Sequence, residues 1–365
     1  MNSVYRDDEL IAQIGSVGLP PFGGKRTFGY LPAGKTRSLS EVKLPIHIIS
    51  GVRPGPTVLV QGAAHGNEIA GSVGILNLLD TLDPKELSGT VIAVPVLNIL
   101  GFETGVRLSP ADGKDILACF PGNIDGSITE QISYHYFNNI VLHSDILIDF
   151  HQGGRTAYER YILIDAPQDA NHWSSMEKKR LNLAVVFGLS SVAYFPPGTF
   201  AENQSDVLAD NNIIHLTPEL SGGTGWYANS SRDIRDAEQG ILNILWALDM
   251  IATEPIYTQR HCDVYDAGNV VWKSSDDGLF IREAKFGQEV EAQGTYGKLI
   301  NPYTGDLISE LKAERKGTVI PSGQEWPTIG NTSVGILGDV TQAVSYTHLR
   351  AHETEADLVC RLLLE

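Results

Sequence analysis

Cysteine is scarce in these 365 residues: Cys119, Cys262 and Cys360 are all there are, and no two stand at CxxC spacing. That excludes a disulfide framework and a thiolate zinc ribbon, so any metal must be held by His and carboxylate. Net positive charge is missing too, with 44 acidic against 27 basic side chains and a formal net charge of −17. Nucleic acid and anionic membrane drop out as electrostatically driven partners. No apolar stretch, Ile146–Phe150 included, approaches the ~20 residues of a membrane-spanning helix, and the N-terminus lacks a basic-then-apolar signal pattern. A soluble, cytoplasmic protein is expected. What is present, 42% hydrophobic residues with 37 Gly and 18 Pro, is the composition of an ordered chain long enough for one large domain and a smaller one.

After a Gly- and Pro-punctuated start through Gly55, short β-rich runs alternate with longer helical patterns. Thr57–Gln61, Val91–Leu97, Ile146–Phe150, Tyr161–Ile164 and Ile213–Thr217 are nearly unbroken in apolarity, as strands buried on both faces are. Between them Glu68–Leu82, Ser127–His143, Ser174–Phe187 and Asp233–Ile251 repeat apolar residues three and four apart, which predicts helices. The pattern is α/β, a mostly parallel (mixed) sheet flanked by helices. From about Ile256 only short β signals separated by Gly, Asp, Asn and Pro remain, so the expected organisation is a catalytic domain over 1–255 and a smaller all-β module over 256–343. The segment 344–365 reads VSYTHLRAHETEADLVCRLLLE. It passes as a short amphipathic docking helix, yet it also resembles a translated transposase-type sequencing adaptor and is set aside as a non-native tail.

The strand Thr57–Gln61 runs into Gly62-Ala63-Ala64-His65-Gly66-Asn67-Glu68. Ligands gather beyond the carboxyl ends of strands in an open parallel sheet, and His65 and Glu68, three apart at a strand-to-helix turn, can converge there on one cation. Alone that pair is also an ordinary helix start. The apolar strand Ile146–Phe150 ends in Asp149 and His151, which supplies a third ligand and leaves one position of a tetrahedral zinc open for water. Asp149, two residues earlier on the same strand face, is a candidate acceptor for the outer N–H of a ligating imidazole, or else a strand-end cap. Ile213–Glu219 again delivers an acid at a strand end, and Glu219 is placed to take a proton from water and return it to a leaving amine. Arg107, beyond the strand ending at Leu97, is a candidate to stabilise an oxyanion, with a surface ion pair as the alternative. The other histidines, His215 among them, show no ligand spacing and read as ordinary.

With these residues in place, the sequence resembles the succinylglutamate desuccinylase/aspartoacylase family, relatives of the zinc carboxypeptidases. HGNE with Gly71, VPVLN, the region around Arg107, PADGKD, FPGN, DFHQGG and PELSGG occur in that order between about Val58 and Met250. The resemblance implies a carboxypeptidase-like domain with one Zn2+ per chain on His65, Glu68 and His151, and Glu219 as general base and acid. The substrate it implies is a small-molecule N-acyl amino acid or related amide.

One segment departs. Where the family has DLNRxFPG, this chain has Asp115-Ile116-Leu117-Ala118-Cys119-Phe120-Pro121-Gly122. The Asn-Arg pair clamps the substrate carboxylate in the family, and a methyl group does not replace a bidentate guanidinium. Either the substrate differs, for instance an ester or a less anionic amide, or another cation substitutes, Arg155 or Arg160 after His151 being the candidates. A zinc deacylase is therefore the leading expectation. A metallocarboxypeptidase and a catalytically silent zinc-holding binding protein stand as alternatives. The β-rich module is free in this reading to cover the site or to pair subunits into a homo-oligomer.

Overall fold

The computed structural model describes residues 4–152, 160–167, 173–196, 204–220, 231–274, 276–320 and 333–345. Its elements in chain order are β1 (Val4–Arg6), α1 (Asp8–Val17), β2 (Lys25–Lys35), β3 (Glu41–Ser50), β4 (Arg53–Gln61), α2 (Ala70–Thr81), β5 (Ser88–Val94), α3 (Ile99–Thr104) and α4 (Ile128–Asn139). There follow β6 (Ile146–Asp149), β7 (His151–Gln152), β8 (Tyr161–Asp165), α5 (Ser175–Phe187), β9 (Ser191–Phe195), α6 (Gln204–Asp210), β10 (Ile214–Leu220) and α7 (Ser231–Ala247). The β-rich remainder holds β11 (His261–Lys273), β12 (Leu279–Arg282), β13 (Glu289–Val290), β14 (Thr295–Ile300), β15 (Leu307–Lys312), β16 (Gly317–Ile320) and β17 (Ser333–Ser345).

The large sheet runs in the order β1-β2-β3-β5-β4-β6-β10-β8-β9-β11-β17-β16-β13, with β7 paired to β10. At its centre β5, β4, β6 and β10 are parallel, while β8 enters antiparallel to β10. This is the mixed α/β sheet that the alternation of apolar strands and amphipathic helices predicts. One face is covered by α2, α5 and α7 through Ile75, Leu78, Leu181, Phe187, Ile241 and Ile244; α1 and α4 cover the other through Ile11, Ile14, Ile132 and Tyr136. Helix starts follow the sequence where it offers a cap. Ser127 and Ser174 each form a capping box with the Glu three residues on, which fixes the first turns of α4 and α5.

Three expectations need correction. The first 55 residues, read as a punctuated lead-in, contain α1 and a long antiparallel pair, β2–β3. Their burial alternates along each strand, the period of a half-buried sheet, which leaves no unbroken apolar run to mark them. Second, the large sheet does not stop at the expected boundary near 255: β11 pairs parallel with β9, so the all-β segment continues it, and only β12-β14-β15 form a separate antiparallel sheet. Third, the break set at 344 falls inside β17, where Val344 is buried and pairs with Cys262 and Ser345 with His261. Residues 346–365 lie outside the described residues. Among those described, no helix is long and apolar enough to cross a membrane.

Candidate metal centre and its surroundings

The site is built where β4, β6 and β10 end. After β4 the chain turns through Gly62–Ile69 before α2 begins, and this turn is stitched to the segment after β5: Asn98 N–H donates to Ala63 O at 2.9 Å and Gly66 N–H to Arg107 O at 3.2 Å. Such closeness requires glycine. A Cβ on Gly66 would collide with the backbone of Gly101, and one on Gly71 with the side chain of Phe150. The helix starts at Ala70 and not at the predicted Glu68, because Glu68 turns inward and Gln152 Oε1 accepts from Ala70 N–H at 2.9 Å in place of a capping residue.

His65, Glu68 and His151 converge. His65 Nδ1, His151 Nδ1 and Glu68 Oε2 stand 3.0 Å from one another, all three residues being buried. Donor atoms placed ~2.1 Å from a tetrahedral ion are about 3.4 Å apart, so the triangle is a few tenths of an ångström tighter than one face of such a ligand set and needs only a small opening to seat the ion. Its chemistry agrees. The outer nitrogens face carboxylates, His65 Nε2 at 3.2 Å from Asp115 Oδ2 and His151 Nε2 at 3.1 Å from Asp149 Oδ2. With protons on Nε2, both Nδ1 lone pairs point into the triangle, which is the ligating form of imidazole. The Asp149 contact is short but lacks the alignment of a full hydrogen bond.

In the metal-free site the electrostatics favour protons where a cation would sit. Burial pulls the His65 and His151 imidazoles toward neutrality, but Glu68 with Asp115 in one case, and Asp149 with Glu68 in the other, outweigh it and raise both. Burial opposes the Glu68 charge as well, yet the two imidazoles hold its carboxyl far below the usual range. Glu68 also accepts from Gln152 N–H at 3.1 Å and from Arg107 Nη1 at 3.0 Å. The pocket calls for a cation.

Glu219 stands beside this cluster, directly opposite His151 in the β10–β7 register. Its side chain is partly buried, its Oε2 is enclosed without a hydrogen-bond partner, and burial lifts its carboxyl to about 7. A carboxyl of that kind exchanges a proton near neutrality. Arg107 sits at the rim, its side chain 49% exposed, between Glu68 and Asp115 Oδ2, the latter 3.8 Å from Nη2. The surface ion pair foreseen as an alternative thus involves a buried cluster residue.

Of the two candidates for substrate binding, only Arg160 falls among the described residues. Arg155 lies outside the described residues. Arg160 is buried against Asp236 and Asp233 of α7, so its charge is already engaged. The departing turn is explained in part: Leu117 is 1% exposed in the core beneath the sheet, whereas Ala118 faces solvent. Sequence reasoning missed Asp115 as the partner of His65, although the residue lies in the same segment as the two substitutions.

The fold and this buried His-Glu-His cluster at the strand ends define an α/β protein equipped to hold a metal. The sequence profile of the succinylglutamate desuccinylase/aspartoacylase catalytic domain matches residues 54–247, and the chain belongs to that family, a family of deacylases. It is 28% identical over 336 residues to the N-alpha-acetyl-L-2,4-diaminobutyric acid deacetylase of Halomonas elongata, covering 88% of this chain and 93% of that one. Its fold is similar to that of a succinylglutamate desuccinylase/aspartoacylase from Rhodobacter sphaeroides, with TM-score 0.74, 25% identity and coverage of 86% and 96%. The product-bound ectoine utilization protein EutE (DoeB) from Ruegeria pomeroyi has the same fold, with TM-score 0.75, 24% identity and coverage of 89% and 98%.

Proposed function

We propose that this deacylase is a zinc-dependent hydrolase of the amide bond, or ester bond, of an N-acyl amino acid or related small molecule. The observation that carries the reading is the 3.0 Å triangle of His65, Glu68 and His151, with the enclosed Glu219 carboxyl opposite His151. When bound, zinc supplies Lewis acidity and lowers the pKa of water toward neutrality. Glu219 takes the proton of the attacking water and passes it to the leaving amine, a role open to an enclosed carboxyl that faces His151 across the strand pair. Arg107 offers its guanidinium to the oxyanion that develops on the carbonyl oxygen. Asp115 and Asp149 keep the protons of His65 and His151 on the outer nitrogens.

Zinc content measured beside turnover tests the reading, using N-acetyl amino acids, N-acetyl-diaminobutyric acid among them, matching esters and short peptides. One equivalent of zinc with deacylation is expected. The exposed Ala118 in place of a guanidinium favours one second reading, a zinc-holding binding protein; one equivalent of zinc with no turnover on the whole panel would select it. Release of C-terminal residues from peptides would select a carboxypeptidase.

A further inference from the structure

The carboxylate behind His151 is itself embraced by a second histidine. Asp149 is fully buried, its Oδ2 lying 3.1 Å from His151 Nε2 on one side and 3.9 Å from His215 Nε2 on the other. His215 reaches this place through strand register. It pairs with Leu147, and residues 147 and 149 of β6 share a face with 215, 217 and 219 of β10. Down that face run Glu219, Thr217 and His215, in line with His151 and Asp149.

The ring of His215 is held at both nitrogens, Nδ1 at 3.1 Å from Ser205 Oγ of α6 and Nε2 at 3.3 Å from Thr217 Oγ1. The arrangement is satisfied when the Ser205 hydroxyl donates to Nδ1, leaving the ring proton on Nε2, aimed at Thr217 and Asp149. A carboxylate sealed from water is costly unless donors surround it, and neither Asp149 oxygen has an aligned hydrogen-bond partner in the structure. Gln61 of β4 flanks the same carboxylate, its own oxygen accepting from Tyr136 O–H at 2.5 Å.

We propose that His215 is a positioning residue for the metal centre: anchored by Ser205, it holds the Asp149 carboxylate against the outer nitrogen of His151 and thereby keeps that ligand's ring turned toward the cluster. The proposal rests on His65, Glu68 and His151 being the zinc ligands. His215 touches neither zinc nor substrate.

Zinc affinity, measured by competition with a chromophoric chelator, tests it. Loss of an outer partner of a ligating imidazole lowers metal affinity by about 10–100-fold, and His215→Leu is expected in that range. His215→Gln, which can return an N–H near the position of Nε2, is expected to stay within about 3-fold of wild type. In an Asp149→Asn background the leucine substitution is expected to have no further effect, because the charge it supports is gone. Ser205→Ala, a change at a partly buried helix position, is expected to weaken zinc binding about 3-fold and provides the reading should the leucine variant not fold. Equal losses in His215→Leu and His215→Gln, or unchanged affinity in Ser205→Ala, would overturn the proposal. A wild-type protein that binds no zinc would instead overturn the metal assignment beneath it.

Discussion

Two neighbouring regions of this site match the expected family motifs to different degrees. The strand-end rim of His65, Glu68, His151 and Glu219 carries the groups that the proposed hydrolysis calls on. The turn at 115–122, joined to it through the 3.2 Å contact of Asp115 with His65, has Leu117 and Ala118 where the resemblance leads one to expect an Asn-Arg carboxylate clamp. The turn is itself divided. Asp115 faces the rim and supports a cluster residue, Leu117 is committed to the core, and Ala118 looks outward. Groups that support the proposed chemistry are thus retained, and the groups that would choose the substrate are not, which locates the expected novelty of this deacylase in what it recognises.

The sharpest way to break that division is Glu219→Gln. A general base contributes ~10²–10⁴-fold, so kcat is expected to fall by that factor while zinc stays at one equivalent. Near-wild-type kcat in a zinc-loaded variant would show that the rim works without the base assigned to it. From the other region, Leu117→Asn is expected to cost about 3 kcal/mol in denaturant unfolding, because it removes a buried aliphatic side chain and strands an amide in the core cluster of Leu59, Ile116, Phe120 and Ile132. A loss below about 1 kcal/mol would mean that the side chain at 117 swings toward the site when polar, and that half the clamp is restorable.

Much of the rim was legible in the sequence because a polar residue closing an apolar strand has few places to go. Gln61 to His65, Asp149 to His151 and Glu219 each follow such a run, and a parallel sheet gathers their ends. The antiparallel entry of β8 was not legible, since Tyr161–Asp165 carries the same apolar pattern in either direction. His215 was missed for a related reason: between Ile214 and Leu216 it looks like a stray polar residue in a buried strand, and only the β6–β10 register brings it to Asp149. Asp115 was hidden because its partner is 50 residues away. Arg160 was misread as a loop cation because nothing in its neighbourhood announces Asp233 and Asp236 on α7.

The Glu219 carboxyl also separates the rim from an ordinary surface in a measurement that needs no substrate. Its ionisation lies near 4.5 in an unfolded chain and near 7 in the folded one, so the folded state binds the proton more tightly. Stability in the metal-free protein is unaffected below the lower value, declines as pH rises between the two, and stays reduced above the higher. Glu219→Gln removes that decline. The metal-free variant is expected to be more stable than wild type by about 1–3 kcal/mol at pH 8, with the advantage vanishing by about pH 4. An advantage independent of pH would assign the effect to packing.

The smallest expected effect bears most directly on recognition. Ala118 is exposed and three residues beyond the Asp115 that touches His65, so an arginine there lengthens into solvent beside the rim without disturbing the core. A single bidentate guanidinium–carboxylate contact that is partly exposed contributes about 1.4 kcal/mol, a factor of about ten. Ala118→Arg is therefore expected to raise kcat/KM about tenfold for N-acyl amino acids with a free carboxylate and to leave their methyl esters unchanged. An equal rise for both would mean the added charge acts on the carbonyl rather than on the carboxylate. No rise for either would place carboxylate recognition outside this turn, and the division between a retained rim and a rewritten turn would then describe ancestry without describing specificity.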